Sequence, residues 1–418
     1  MEISRPQLLI LARAPEAFCE LFGVSLLERL LRIVQRLGFR EAMILSDSID
    51  EVSARLAPPS WARADVALSF RRQIAGAARI NEVATGAERM LAVSAGYYYD
   101  ARLLKTLAEQ TATTLLIDSA PPPASVELWS GYGGVFNAAA LVDRDWLSRQ
   151  DHTTGLMDQL SSDAAAGRIV SCDAAQQPTY ITGMRKHVRP VFFPAPSAER
   201  IRLAERFPRE AAQNGVLDFP GALDAPIENW IVAHLCRTSI TPNQITLFTM
   251  LIGLGVTVLF ATGHLWFGVA LALAIEILDG VDGKLARTKV ETTAAGDWEH
   301  VSDYFIELSW WMALAWHFHE AGLRHAFALL ILLVGSDILD QLAKRVVKQK
   351  VGRNLDDVSN FDRFVRCIGT RRNINIWILM AALALGDAAN GFVLICGWGA
   401  TTALAHIVRA VQIRFTAV

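Results

Sequence analysis

The sequence predicts two unlike halves: a soluble α/β domain followed by an all-α membrane domain of six transmembrane helices. Three observations carry this reading. Short apolar runs alternate with amphipathic helical patterns over the first ~195 residues. Thr238 to Ile275 is a stretch of 38 residues without Asp, Glu, Lys or Arg. Between Lys344 and Arg372 nine basic residues stand against three acidic ones. The whole chain, 418 residues, is 52% hydrophobic and 20% charged, with a mean hydropathy of +0.28. Forty Lys and Arg against 42 Asp and Glu leave a formal charge of −2. That balance argues against a general nucleic-acid binder, which carries a basic excess, and against disorder, which needs low hydrophobicity. Cys19, Cys172, Cys236, Cys367 and Cys396 lie far apart with no metal-like spacing, so reduced thiols are expected. No secretory signal peptide is expected, because the first apolar run is short and flanked by charges.

In the first half, Leu8–Leu11 reads as a short buried strand. Ser25–Leu37 follows as an amphipathic helix ending at Gly38. Ala42–Leu45 is a second strand, and Met90–Ser94 and Thr114–Ile117 repeat the pattern around a helical Ala101–Gln110. Such alternation implies a mostly parallel sheet covered by helices. This domain is expected over 1–195. Residues 196–222 are charged and then punctuated by Phe219-Pro220-Gly221, so they read as a connector. The membrane domain is expected over 223–418. It opens with a juxtamembrane helix over 223–238, with Trp230, Ile231 and Leu235 on one face.

A spanning helix needs about 20 apolar residues. The charge-free runs, read with their flanks, give six candidate spans near 243–262, 265–286, 301–319, 324–345, 373–387 and 390–412. The connections opposite the basic 344–372 segment hold a single basic residue, Arg324. The positive-inside rule therefore makes that segment cytoplasmic, and an even span number puts both termini there too. Several tryptophans, among them Trp266, Trp310, Trp311, Trp316, Trp377 and Trp398, read as interface anchors or as helix-packing residues.

The chemistry gathers where the second and third spans meet. Asp279 and Asp282 are i, i+3, and Glu299 and Asp303 are i, i+4, so each pair shares a helix face. Ionisable groups inside spans are expensive and mark polar cavities. Carboxylate oxygens suit hard divalent cations, and Mg²⁺ works with substrate phosphates. Glu276 and Glu307 each lie about one turn from a motif member, and Asp337 and Asp340 lie in the fourth span. Each could serve the site or hydrogen-bond between helices. His317, His319 and His325 read as interfacial.

The run Asp279-x2-Asp282-Gly283-x2-Ala286-Arg287, followed by Gly296, resembles the signature of CDP-alcohol phosphotransferases, D-x2-D-G-x2-A-R-x8-G-x3-D-x3-D. The resemblance covers about 223–418. From Gly296 the last two aspartates fall on His300 and Tyr304. A loop one residue shorter places Glu299 and Asp303 there with the same spacing. The shifted register is favoured; the unshifted one would leave the metal site broken. The resemblance implies Mg²⁺ or Mn²⁺ held by Asp279, Asp282, Glu299 and Asp303. It implies Gly283, Ala286 and Arg287 at the donor nucleotide, and Asp303 as the base that activates the acceptor hydroxyl. It further implies a CDP-linked lipid or polyol donor such as CDP-diacylglycerol, an alcohol or phosphorylated alcohol as acceptor, and CMP as leaving group. An integral membrane enzyme of a bacterial-type inner membrane, in contact with membrane lipids and paired as a homodimer, is expected; no nucleic acid is. Arg363, Arg366, Arg371 and Arg372 read equally as an anion pocket or as topology and anionic-lipid contacts.

The segment Phe22-Gly23-Val24-Ser25-Leu26-Leu27-Glu28-Arg29 is similar to the G-x-P-L-L-E-R element of sugar nucleotidyltransferases. The resemblance implies a nucleotidyltransferase-like (Rossmann-like) first domain. The glycine-rich loop that would wrap phosphate is absent from 11–16. Asp100, where a metal ligand would follow the central strand, reads better as a helix cap. An inactive domain is therefore expected. The alternatives are a non-catalytic membrane scaffold that retains the fold, and a bifunctional cytidylyltransferase-phosphotransferase.

Overall fold

The computed structural model describes residues 5–13, 15–56, 65–72, 88–129, 138–150, 155–291 and 296–415, and the side chains of 296–301 lie outside that description. The chain forms two compact units. One comprises Met1–Thr179, Val188–Ala211 and Thr288–Glu291; the other comprises Tyr180–His187, Ala212–Arg287 and Thr292–Val418.

The first unit is built on a seven-stranded sheet: β1 (Gln7–Leu11), β2 (Glu41–Ser46), β3 (Ala67–Arg72), β4 (Arg89–Ser94), β5 (Thr114–Ile117), β6 (Ala139–Asp143) and β7 (Val170–Asp173). The order is β7-β5-β6-β4-β1-β2-β3, and only β6 pairs antiparallel. Side chains alternate faces along a strand. Leu8 and Ile10 accordingly enter one core cluster while Leu9 enters the other, so β1 is covered on both sides. Helix α1 (Leu26–Arg36) starts where the Ser25 side chain accepts from Glu28 N at 3.2 Å. It stops at Gly38, whose φ of +86° a side chain would resist. Helices α2 (Ile49–Leu56), α3 (Ala101–Ala108) and α4 (Leu156–Ala165) complete the main layers. Four of the seven strands match the sequence expectation; β3, β6 and β7 are additional.

The second unit is helical: α5 (Phe219–Leu235), α6 (Pro242–Ala261), α7 (Leu265–Lys289), α8 (Gly296–Glu320), α9 (Ala326–Val351), α10 (Asn360–Ile368), α11 (Arg372–Ala384) and α12 (Ala388–Phe415). A capping box between Thr241 and Gln244, with Pro242 at the first turn, starts α6. Helix α6 packs on α8, α8 on α9, α9 on α12, and α12 on α11. The α6–α8 crossing is close: the Trp310 indole donates to Gly253 O at 2.8 Å. Trp310 and Trp311 are buried in this core, so they pack between helices rather than anchor at an interface.

Helices stand at all six positions read as spans. Among the described residues three are long and apolar enough to cross a membrane: α6, α9 and α12. Helix α11 has 13 residues, and α7 and α8 carry the acidic residues of the motif. The juxtamembrane helix starts four residues earlier than expected. Its buried stripe is Pro220, Asp224, Glu228 and Val232, and Trp230 is exposed with Phe219, Leu223 and Ile227. An apolar outer face with acids turned inward suits a helix at a lipid interface. The stretch read as a connector contains short helices at Ile201–Ala204 and Arg206–Ala212.

Candidate active site

The motif lies in the last turns of α7. Asp279, Gly283, Ala286 and Arg287 follow i, i+4, i+7, i+8 spacing, so they form one stripe, and all four are partly exposed. Asp282 falls on the adjacent face and is buried, accepting from Thr246 Oγ1 of α6 at 3.0 Å. The Arg287 guanidinium folds over Gly283, where a Cβ would stand 3.2 Å from Nη1, and its Nε donates to Ala212 O at 2.9 Å. Glycine at 283 thus leaves the space that the arginine occupies.

Asp279 is paired with Arg372, at the start of α11. The same guanidinium is in the electrostatic field of Glu307 and Asp303, both on α8. Carboxylates from two helices therefore converge on one cation. Glu299 and His300 lie in the first turns of α8, and their side chains fall outside the described residues, as does the comparison of the two registers. Among the described residues no set of three or more His, Cys, Asp or Glu side chains closes to metal-binding distance. The oxygen donors of Asp279, Asp282 and Asp303, and the excess negative charge that Arg372 offsets, nonetheless have the chemistry a hard divalent cation requires.

A second set of acids backs the motif from α5, and sequence reasoning missed it. Glu228 forms an ion pair with Lys284 at 2.6 Å, both buried, and Lys284 also donates to Asn229 Oδ1 at 3.0 Å. The Glu228 carboxylate lies directly over Gly280; a Cβ there would stand 2.1 Å from Oε1. Glycine at 280 leaves the space that the Glu228 carboxylate occupies. Asp224 hydrogen-bonds Glu276; burial, then the neighbouring Glu228 and Asp218, push the Asp224 carboxyl above the usual range. The signal was the i, i+4 spacing of Asp224 and Glu228, masked by the stronger apolar stripe opposite.

The four arginines proposed for an anion pocket each have a carboxylate partner. Arg363 pairs with Asp357, Arg366 with Asp356 at 3.3 Å, Arg371 with Asp218 at 3.2 Å, and Arg372 with Asp279. Asp340 pairs with His406 and Lys344, so it serves helix packing between α9 and α12. Asp337 instead lines a cleft of about 50 Å³ between α8, α9 and α11, together with Tyr304, Glu307, Thr370, Arg371 and Asn375.

In the first unit, Asp100 caps α3, accepting from Arg102 N at 3.0 Å, and pairs with the Arg102 side chain. The loop after β1 closes with Glu16, whose Cβ is 3.0 Å from where a Cβ on Gly96 would stand. In open α/β sheets ligands favour the crevice where strand order reverses, here between β1 and β4. Gly96 lies two residues past β4, beside that crevice, and Glu16 lines an open pocket of about 650 Å³ with Pro15, Phe18 and Arg55.

Residues 239–403 match the family model described as CDP-alcohol phosphatidyltransferase. Over 129 residues the chain is 29% identical to the phosphatidylinositol phosphate synthase of Mycobacteroides abscessus, covering 29% of this chain and 57% of that protein. Over 82 residues it is 37% identical to the bifunctional IPC transferase and DIPP synthase of Aquifex aeolicus, covering 18% of each. The chain thus spans little more than half of the first relative and less than a fifth of the second. Among solved structures, phosphatidylinositol phosphate synthase of Mycobacterium tuberculosis with CDP-DAG bound is similar at a TM-score of 0.34 and 18% identity, covering 46% of this chain and 93% of that one. The inositol-1-phosphate CTP transferase of T. maritima is similar at a TM-score of 0.33 and 10% identity, covering 48% and 96%.

Proposed function

We propose that this chain, whose residues 239–403 form a CDP-alcohol phosphatidyltransferase domain, transfers a substituted phosphate from a CDP-linked donor to an acceptor alcohol. The observation that supports this most is the convergence of Asp279, Asp303 and Glu307 on a single cationic group, with Asp282 buried one helical position away. The acceptor hydroxyl attacks the phosphorus of the transferred group. A phosphorus–oxygen bond forms to the acceptor, and the phosphoanhydride bond breaks, its electron pair leaving with CMP. Asp303 accepts the hydroxyl proton, since it faces the same side of α8 as Glu307. Asp279, Asp282, Glu299 and Asp303 are the residues that would hold Mg²⁺ or Mn²⁺, which supplies charge opposite the donor pyrophosphate. Gly283, Ala286 and Arg287 form the open stripe beside Asp279 on which the nucleotide end of the donor would lie.

Under this reading α7, α8 and α11 cross the membrane with α6, α9 and α12, and both termini are cytoplasmic. The enzyme works as a homodimer. The first unit has no catalytic role under this reading: Asp100 is used as a cap. The test is release of CMP from a CDP-linked donor by the purified full chain with Mg²⁺ and acceptor. Asp282→Asn, which keeps the shape of the side chain and a partner for Thr246, abolishes it. Undiminished release by that variant would refute the assignment.

A further inference from the structure

We propose that the cleft between α8, α9 and α11 is the acceptor subsite and that it takes an alcohol carrying no anionic group. This rests on the transferase reading above. The cleft is small, about 50 Å³, and it reaches the reaction site through Glu307, one helical turn from Asp303 on the same face of α8. Its polar lining is Glu307, Asp337, Thr370, Arg371, Asn375 and Tyr304. Two of these are carboxylates. The one cation among them, Arg371, pairs with the buried Asp218 at 3.2 Å. Turning Arg371 toward a phosphate would leave that carboxylate buried and unpaired, a costly state. Arg363 and Arg366 are held by Asp357 and Asp356. A phosphate monoester entering the cleft would therefore meet two carboxyl groups and no free cation on its lining. A hydroxyl-rich molecule meets acceptors for its O–H groups: the Glu307 and Asp337 carboxylates and the Asn375 amide oxygen, which already accepts from Thr370 Oγ1 at 2.8 Å. An amino alcohol would meet the same carboxylates as counter-charges.

The experiment measures CMP release by the full chain with Mg²⁺ and CDP-diacylglycerol, and in parallel with CDP-inositol, against inositol, inositol phosphate, glycerol, glycerol phosphate and ethanolamine. The expected result is kcat/KM at least tenfold higher for an unphosphorylated alcohol than for its phosphate monoester. Comparison of inositol and glycerol with ethanolamine separates a polyol from an amino alcohol. Asp337→Asn is expected to raise KM for the acceptor at least tenfold and to leave KM for the donor unchanged. Asp337→Arg is expected to shift the preference toward the phosphate monoester. A wild-type preference for the phosphate monoester, or an Asp337→Asn acceptor KM equal to wild type, overturns the inference while leaving the transferase reading intact. No CMP release with any acceptor overturns both.

Discussion

Substituting Gly280 by alanine tests how the motif helix is held. A Cβ at 280 would stand 2.1 Å from Glu228 Oε1 and 2.2 Å from its carboxyl carbon, so the end of the Glu228 side chain has to shift. That shift strains the pair of Glu228 with Lys284, both side chains of which are less than a tenth exposed, and full loss of the pair sets the upper limit. Breaking a buried pair by removing one partner costs about 3–5 kcal/mol. Lys284 keeps Asn229 Oδ1 at 3.0 Å and Ala225 O at 3.4 Å, which places the loss near the lower bound. Glycine to alanine in a helix otherwise stabilises by roughly 0.5–1 kcal/mol. Gly335 in α9 is the control, because a Cβ there meets nothing within 4 Å. The assay is equilibrium unfolding of the full chain in mixed micelles, with the thermal midpoint in detergent as a second readout. Gly280→Ala is expected to lose up to about 3 kcal/mol while Gly335→Ala stays level or gains. In a Glu228→Ala background the Gly280→Ala penalty should largely vanish, since the two act through one contact. Equal behaviour of the two glycine variants, or full additivity with Glu228→Ala, would refute the close-approach reasoning.

Two further outcomes concern the first unit. Asp100→Ala should cost about 1 kcal/mol through the lost α3 cap and leave CMP release unchanged; loss of activity in a folded variant would make Asp100 functional instead. Asp163 is held below the ordinary carboxylate range: burial pushes it up, but donors from Arg168 and from the Trp146 indole at 2.7 Å outweigh that. A carboxylate depressed in the folded state stabilises above its unfolded pKa, near 4, and loses that contribution as the pH falls through its folded value. The stability gap between wild type and Asp163→Asn, read from thermal midpoints, should therefore shrink as the pH drops from about 5 to about 2. A gap independent of pH would contradict the assignment.

Much of the architecture was legible because it rests on strong periodicity. β1 and β4 are unbroken apolar runs, and α6 lies in a stretch with no charge at all. The strands that escaped notice have weaker patterns: Ala67–Arg72 is a half-exposed edge strand ending in two arginines, Ala139–Asp143 is alanine-rich, and Val170–Asp173 has four residues. Helix α5 was recognised by its apolar face, but the acids on the opposite, buried face were not. In water the apolar stripe of Trp230 and Ile227 would turn inward; here Asp224 and Glu228 do, because Glu276, Gly280 and Lys284 receive them. Partners on a distant helix are invisible to local periodicity. The motif itself was readable from spacing. The fate of the basic loop was not, since nothing local to Arg371 announces Asp218.

The most direct test of the central claim follows CMP and the new phosphodiester together, with the full chain, a CDP-linked donor, a divalent cation and the acceptor panel. The account predicts equal amounts of both products from the wild-type protein. It predicts a fall of about 100-fold or more in folded Asp282→Asn, through loss of one buried charge at the reacting centre. No CMP from the wild type, or wild-type rates from Asp282→Asn, would contradict it.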